Sequence, residues 1–126
     1  MADIVISEFM DEQVIRDAFR GRDVLYDPAL VDRPEALFAA LADARALLVR
    51  NRTQVRGAVL DAAPRLRVVG RLGVGLDNID LEACGVRGVA VCPASGANDL
   101  SVAEYAITAV LMLLRRGWFA SDAVIA

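Results

Sequence analysis

The chain has 126 residues, of which 56% are hydrophobic, against ~45–50% in soluble domains generally. That length suits one domain with a single buried core, and the apolar excess points to an interface beyond it. A net charge of −3 and a pI near 4.9 exclude non-specific nucleic-acid binding, which needs a basic face.

Taken in chain order, short β-rich runs alternate with helical patterns, as in a parallel sheet covered by helices. A strand is expected at Ile4–Ser7, then a helix at Asp11–Phe19 and a second strand at Val24–Tyr26. Pro34 opens the next helix, Pro34–Ala42, where its missing N–H costs nothing, with Asp32 as its cap. The third strand, Ala46–Val49, leads to a helix over Gln54–Ala62 that Pro64 closes. A fourth strand follows at Arg67–Gly70, then a short helix at Asp80–Cys84, capped by Asp80 and ended by Gly85. After a fifth strand at Val89–Cys92, Ser101 and Glu104 form a capping box for a long apolar helix reaching about Arg116, stopped by Gly117. The strands are apolar throughout rather than alternating, so burial on both faces is expected.

Five strands in this order without a hairpin signal imply an α/β fold: an open, flavodoxin-like parallel sheet in the order 2-1-3-4-5, with helices on both faces. Its natural divisions are residues 1–98, the apolar helix 99–116, and a connector over 117–126 whose destination is not evident. The longest apolar stretch, Val102–Leu114, is interrupted by Glu104 and is shorter than the ~20 residues of a membrane span. Charge flanks the first apolar run in the wrong sense for a secretion signal. Cys84 and Cys92 lack C-x-x-C spacing and read as free thiols. These signs together suggest a cytoplasmic protein with no membrane partner.

In open α/β sheets, ligands bind beyond the carboxyl ends of the strands. That edge selects Arg50-Asn51 after the third strand, Arg71 to Gly75 after the fourth, and Ala94 to Asn98 after the fifth. Gly73 and Gly75 permit a tight turn whose N–H groups form a nest for a carboxylate. Arg50 and Arg71 can supply bidentate contacts to that group or to a second anion. A dinucleotide fingerprint is absent, because glycine at 73 and 75 would need a third at 78, where Asn78 stands. For Asp77, Asn78 and Asp80 a turn and a helix cap outweigh a catalytic carboxylate cluster. Asn98 and Ser101 suit either a cofactor contact or the start of the last helix. No metal site is suggested. A phospho-accepting receiver shares the element order but needs an acidic pair after the first strand and a lysine after the fifth. Glu8 stands alone, and the chain has no lysine.

The ordered motifs V-R-N-R-T (Val49–Thr53), G-R-L-G-V-G-L-D-N-I-D (Gly70–Asp80) and N-D-L-S-V-A-E (Asn98–Glu104) resemble the substrate-binding half of the D-isomer-specific 2-hydroxyacid dehydrogenases, the phosphoglycerate dehydrogenase group in particular. The resemblance implies an NAD-dependent (or NADP-dependent) oxidoreductase that interconverts a 2-hydroxy acid and its 2-oxo acid. By it, Arg50 and Asn51 lie where substrate is contacted. Gly73, Val74 and Gly75 match the loop that holds the substrate carboxylate, and Arg71 can assist an anionic tail, as in a phosphoglycerate or a sulfolactate. Phosphoglycerate enzymes often carry serine at the position of Asn51, so the particular acid stays open. Val74 and Val102 match positions near the nicotinamide, and Asn98 is counted with them as a candidate cofactor contact. The family's catalytic arginine, glutamate and histidine lie in its Rossmann nucleotide domain, and this sequence contains no histidine. The expectation is therefore a substrate-binding portion without catalytic residues of its own, inactive alone, binding no NAD tightly, and self-associating through the apolar helix. The alternative is a non-catalytic flavodoxin-like module that binds a carboxylate or oligomerises.

Overall fold

A computed structural model describes residues Met1–Arg116. The chain divides into two compact units, Met1–Ser95 and a second beginning at Gly96. The first unit holds five strands: β1 (Ile4–Ile6), β2 (Val24–Tyr26), β3 (Ala46–Val49), β4 (Val68–Arg71) and β5 (Ala90–Pro93). Its helices are α1 (Glu12–Ala18), α2 (Pro34–Leu41), α3 (Ala58–Asp61) and α4 (Leu81–Val86), with a 3-10 turn at Leu30–Asp32. The sheet order is β2-β1-β3-β4-β5 and every pairing is parallel. The expected α/β architecture and strand order are those observed.

The two faces of the sheet are covered unequally. Val5, Leu47, Val49 and Val69 point into the larger core, where Leu37 and Leu41 of α2, Leu60 of α3 and Cys84 of α4 meet them. Each such fully buried aliphatic side chain stabilises the fold by ~1.5–3 kcal/mol. Ile4, Ile6, Ala46 and Leu48 point the other way, toward Ile15 and Phe19 on and beside α1. On that face α1 packs with residues of β1, β2 and β3 only, so Ala90 and Cys92 of β5 remain exposed. Burial on both faces, expected for all strands, holds for β1 and fails for β5.

Local chemistry explains several boundaries. Asp11 caps α1, its Oδ1 accepting from the Gln13 and Val14 N–H groups at 2.8 and 3.1 Å. Asp80 caps α4 as expected, accepting from the Ala83 N–H at 2.9 Å. Pro34 opens α2, but Asp32 does not cap it: Asp32 lies in the 3-10 turn and pairs with Arg52. The third helix is far shorter than Gln54–Ala62, because Val55 instead bridges Ile79 as a lone parallel pair. Gly85 lies inside α4, and Arg87 ends the helix ahead of Gly88 at φ 68.

The second unit contains α5 (Asp99–Leu114). It starts two residues before Ser101, so Ser101 and Glu104 sit within the helix rather than forming its capping box. Asn98 occupies the N-cap position without a side-chain bond to the helix. Arg115 caps the far end, and Arg116 turns left-handed at φ 54. Leu100, Tyr105, Ile107 and Leu113 are among its many exposed apolar side chains. The proposed stop at Gly117 and the connector Trp118–Ala126 lie outside the described residues.

Candidate functional site

Parallel pairing sends the carboxyl ends of all five strands to one edge, and the loops leaving β3 and β4 meet there. Val49 of β3 registers with Arg71 of β4, so Arg50 leaves the sheet beside Arg71. The loops are joined by paired backbone bonds: Val55 N–H to Asn78 O at 2.8 Å, and Asp80 N–H to Val55 O at 3.0 Å. Arg56 adds a bond from its guanidinium to the Asp77 carbonyl at 2.6 Å.

Within the glycine loop, the Leu72 N–H bonds the Val49 carbonyl at 2.8 Å and the Gly73 N–H bonds the Arg71 carbonyl at 2.9 Å. Those two donors are spent. The Val74 and Gly75 N–H groups have no protein partner among the described residues, so the anion nest reduces to these two. Gly73 has φ 147, a conformation that favours glycine. A Cβ there would fall 1.7 Å from Nη1 of Arg71, and one at Gly75 would fall 3.7 Å from Nη2. The Arg71 guanidinium therefore lies directly over the loop. It makes no ion pair among the described residues, and its Nε is buried without a partner. Its Nη1 donates to the Leu72 carbonyl at 3.4 Å, and a half-buried guanidinium without a carboxylate partner, beside a loop with two free N–H groups, is suited to a small carboxylate carrying a second negative group.

On the neighbouring loop, Arg50 lies over the Phe9 ring at 6.0 Å from its centroid. It is exposed and forms no ion pair among the described residues. Asn51 is exposed, with no side-chain partner among the described residues. Arg52 is committed instead to Asp32, which raises the pKa of its guanidinium through a hydrogen bond and direct attraction. The sequence-expected residues Arg50, Asn51, Arg71, Gly73, Val74 and Gly75 thus occupy one edge of the first unit. Asn98 and Val102 belong to the second unit, at the start of α5, where the Val102 N–H bonds the Asn98 carbonyl at 3.0 Å.

Two residues at this edge were not singled out for it by sequence. Glu8, two residues after β1, is 4% exposed and accepts from three backbone N–H groups of the 50–53 loop. Burial pushes its carboxyl pKa up, but hydrogen bonds from Thr53, Arg50 and Arg52 together hold it below its ordinary value of 4.5. Asn78 is 1% exposed and donates to the carbonyls of Arg50 and Thr53 at 3.2 and 2.9 Å. The available signal was Glu8's place: an acidic residue ending a fully buried strand needs donors close by. The opposite edge carries a groove lined by Phe19, Arg22, Arg45 and Arg67. Those arginines are exposed and Arg45 is paired with Asp3, so the strand-end loops remain the candidate site.

Residues 4–125 match the family described as D-isomer specific 2-hydroxyacid dehydrogenase, catalytic domain. The chain belongs to this family. It is 49% identical over 126 residues to an (S)-sulfolactate dehydrogenase of Chromohalobacter salexigens, covering all of this chain and 41% of that protein. A D-3-phosphoglycerate dehydrogenase of Mycobacterium tuberculosis is 48% identical over 88 residues, 68% of this chain and 17% of that one. Among solved structures, an NAD+-bound 3-phosphoglycerate dehydrogenase of Entamoeba histolytica matches with TM-score 0.76 at 25% identity, over 93% of this chain and 40% of that one. A dehydrogenase of Rhizobium meliloti matches with TM-score 0.73 at 28% identity, over 96% and 43%. The chain thus spans about two fifths or less of the length of these relatives.

Proposed function

We propose that this chain is the substrate-holding portion of an NAD-dependent dehydrogenase acting on a dianionic 2-hydroxy acid of the sulfolactate or phosphoglycerate type. The observation that carries the reading is the Arg71 guanidinium lying without an ion pair against Gly73 and Gly75, in the loop that carries the free Val74 and Gly75 N–H groups. In this reading the two N–H groups hold the C1 carboxylate, while Arg71 and Arg50 attract the sulfonate or phosphate. Asn51 donates to or accepts from the substrate's polar groups, and Val74 borders the nicotinamide. The likeness to the sulfolactate enzyme along the entire chain favours a sulfonate over a phosphate.

The residues of this chain do not fit a dinucleotide cradle. The Gly73–Gly75 turn leads to buried Asn78 and a six-residue helix rather than to a glycine-rich helix start. With no histidine in the sequence, no residue suits the general acid–base role on the substrate hydroxyl. The 126 residues alone are therefore proposed to bind substrate without turning it over. The exposed apolar side chains of α5 support self-association through that helix. Two free cysteines accord with a cytoplasmic location.

NAD reduction assayed with sulfolactate, phosphoglycerate and lactate tests this, on the 126-residue chain beside the complete gene product. Activity in the complete product alone, highest with a dianionic acid, is expected. Turnover by the short chain would overturn the division of labour, and activity in neither would favour the non-catalytic carboxylate-binding module.

A further inference from the structure

The 50–53 loop is held from two sides by buried polar side chains that no substrate role requires. Glu8 Oε1 accepts from the Arg50 and Thr53 N–H groups at 3.0 and 2.9 Å, and Oε2 from the Arg52 N–H at 3.1 Å. The Asn78 amide donates to the carbonyls of Arg50 and Thr53, and its own carbonyl accepts from the Val55 N–H in the Val55–Ile79 bridge. Below them Ser7 and Thr53 hydroxyls meet at 2.9 Å. The Arg50, Arg52 and Thr53 donors are taken by an internal carboxylate, and the Arg50 and Thr53 acceptors by an internal amide.

We propose that Glu8 and Asn78 are positioning residues: Glu8 fills the amide nest of the 50–53 loop as a built-in anion, so that this loop meets ligand through the Arg50 and Asn51 side chains. Among the described residues, an incoming carboxylate is left the vacant pair of N–H groups at Val74 and Gly75, and Asn78 ties that loop to the other. Were the 50–53 N–H groups free, two nests on adjacent loops would compete for the same carboxylate, and the substrate would have two registers. The carboxylate of Glu8 also lies beside Arg50 and Arg52 without pairing with Arg50, whose guanidinium rests on Phe9. This assignment rests on the proposed function for its substrate, but not for the clasp itself.

Glu8→Gln tests it, keeping the shape while removing the charge and turning one acceptor into a donor. In the 126-residue chain, amide exchange at Arg50, Arg52 and Thr53 should accelerate about tenfold or more relative to the core amides of Val5, Leu47 and Val69. In the complete gene product, KM for the dianionic acid should rise about tenfold with kcat little changed. A role in folding alone would lower the active fraction and leave KM as it was. An unchanged exchange ratio, or an unchanged KM with faster exchange, overturns the proposal. Should the variant not fold, the wild-type chain supplies the same reading: the three amides should lose protection ahead of the core as acid neutralises Glu8, below its ordinary 4.5. A flat ratio there overturns the clasp. If the complete product oxidises no 2-hydroxy acid, the functional reading falls and the exchange ratio still decides on the clasp.

Discussion

At the scale of single residues, the site depends on what glycine leaves out. Arg71 occupies the space a Cβ at Gly73 would take, so the missing methyl and the placed guanidinium are one feature. Gly73→Ala must displace Arg71 and also strain a backbone at φ 147. Losing a charge-assisted contact of ~1.5–3 kcal/mol should raise KM for a dianionic acid about tenfold or more, with a smaller change for lactate. Steady-state kinetics on the complete gene product, with both acids, check this. The motif spacing made Arg50, Arg71 and the glycine loop legible, because strand ends in a parallel sheet face one way. Glu8 and Asn78 were not legible as a pair, since they lie 70 positions apart in sequence and meet only through the loop between them. Nor could spacing show that the Gly73 N–H is already spent on Arg71's carbonyl.

Among the elements, those bounded by buried strands or strong caps were readable, and those set by tertiary contacts were not. The strands matched to within a residue or so, because apolar runs flanked by polar loops have few alternative registers in a parallel sheet. Helix α3 was overextended on sequence, since the bridge to Ile79 takes Val55 out of the helix and a bend at Arg56 and a turn at Gly57 precede it. Asp32 was misread because Arg52, twenty residues on, competes for it. Asp80 was read correctly, being exposed and answerable only to its own helix. Asp80→Ala should therefore lower stability by about 1 kcal/mol, seen as a lower urea midpoint, with KM unchanged. A rise in KM with no loss of stability would place Asp80 in the chemistry instead.

For the molecule as a whole, the titration behaviour follows from which groups are perturbed. Asp3, through its bond to Arg45, and Glu8, through its backbone partners despite burial, both have carboxyl pKa values below their ordinary 3.8 and 4.5. A depressed folded-state pKa contributes stability above the unfolded value and loses it as pH falls through the folded one. With no histidine in the chain, no imidazole titrates between about pH 5 and 8. The urea midpoint should be level across that range and fall below about pH 4.5, and Glu8→Gln should flatten part of the acid limb. A midpoint that changes between pH 6 and 8 would contradict this.

The strand order has one more consequence, for what the sheet does with its rims. Its outermost members are β2, three residues long, and β5, four residues ending in Pro93. Neither offers a long ladder of free amides to a passing chain, and proline withholds one outright. An open sheet is in principle an invitation to endless lateral growth. Here both margins are too brief to template another strand, so association between copies falls to side-chain surfaces, which can be shaped for one partner and refused to others.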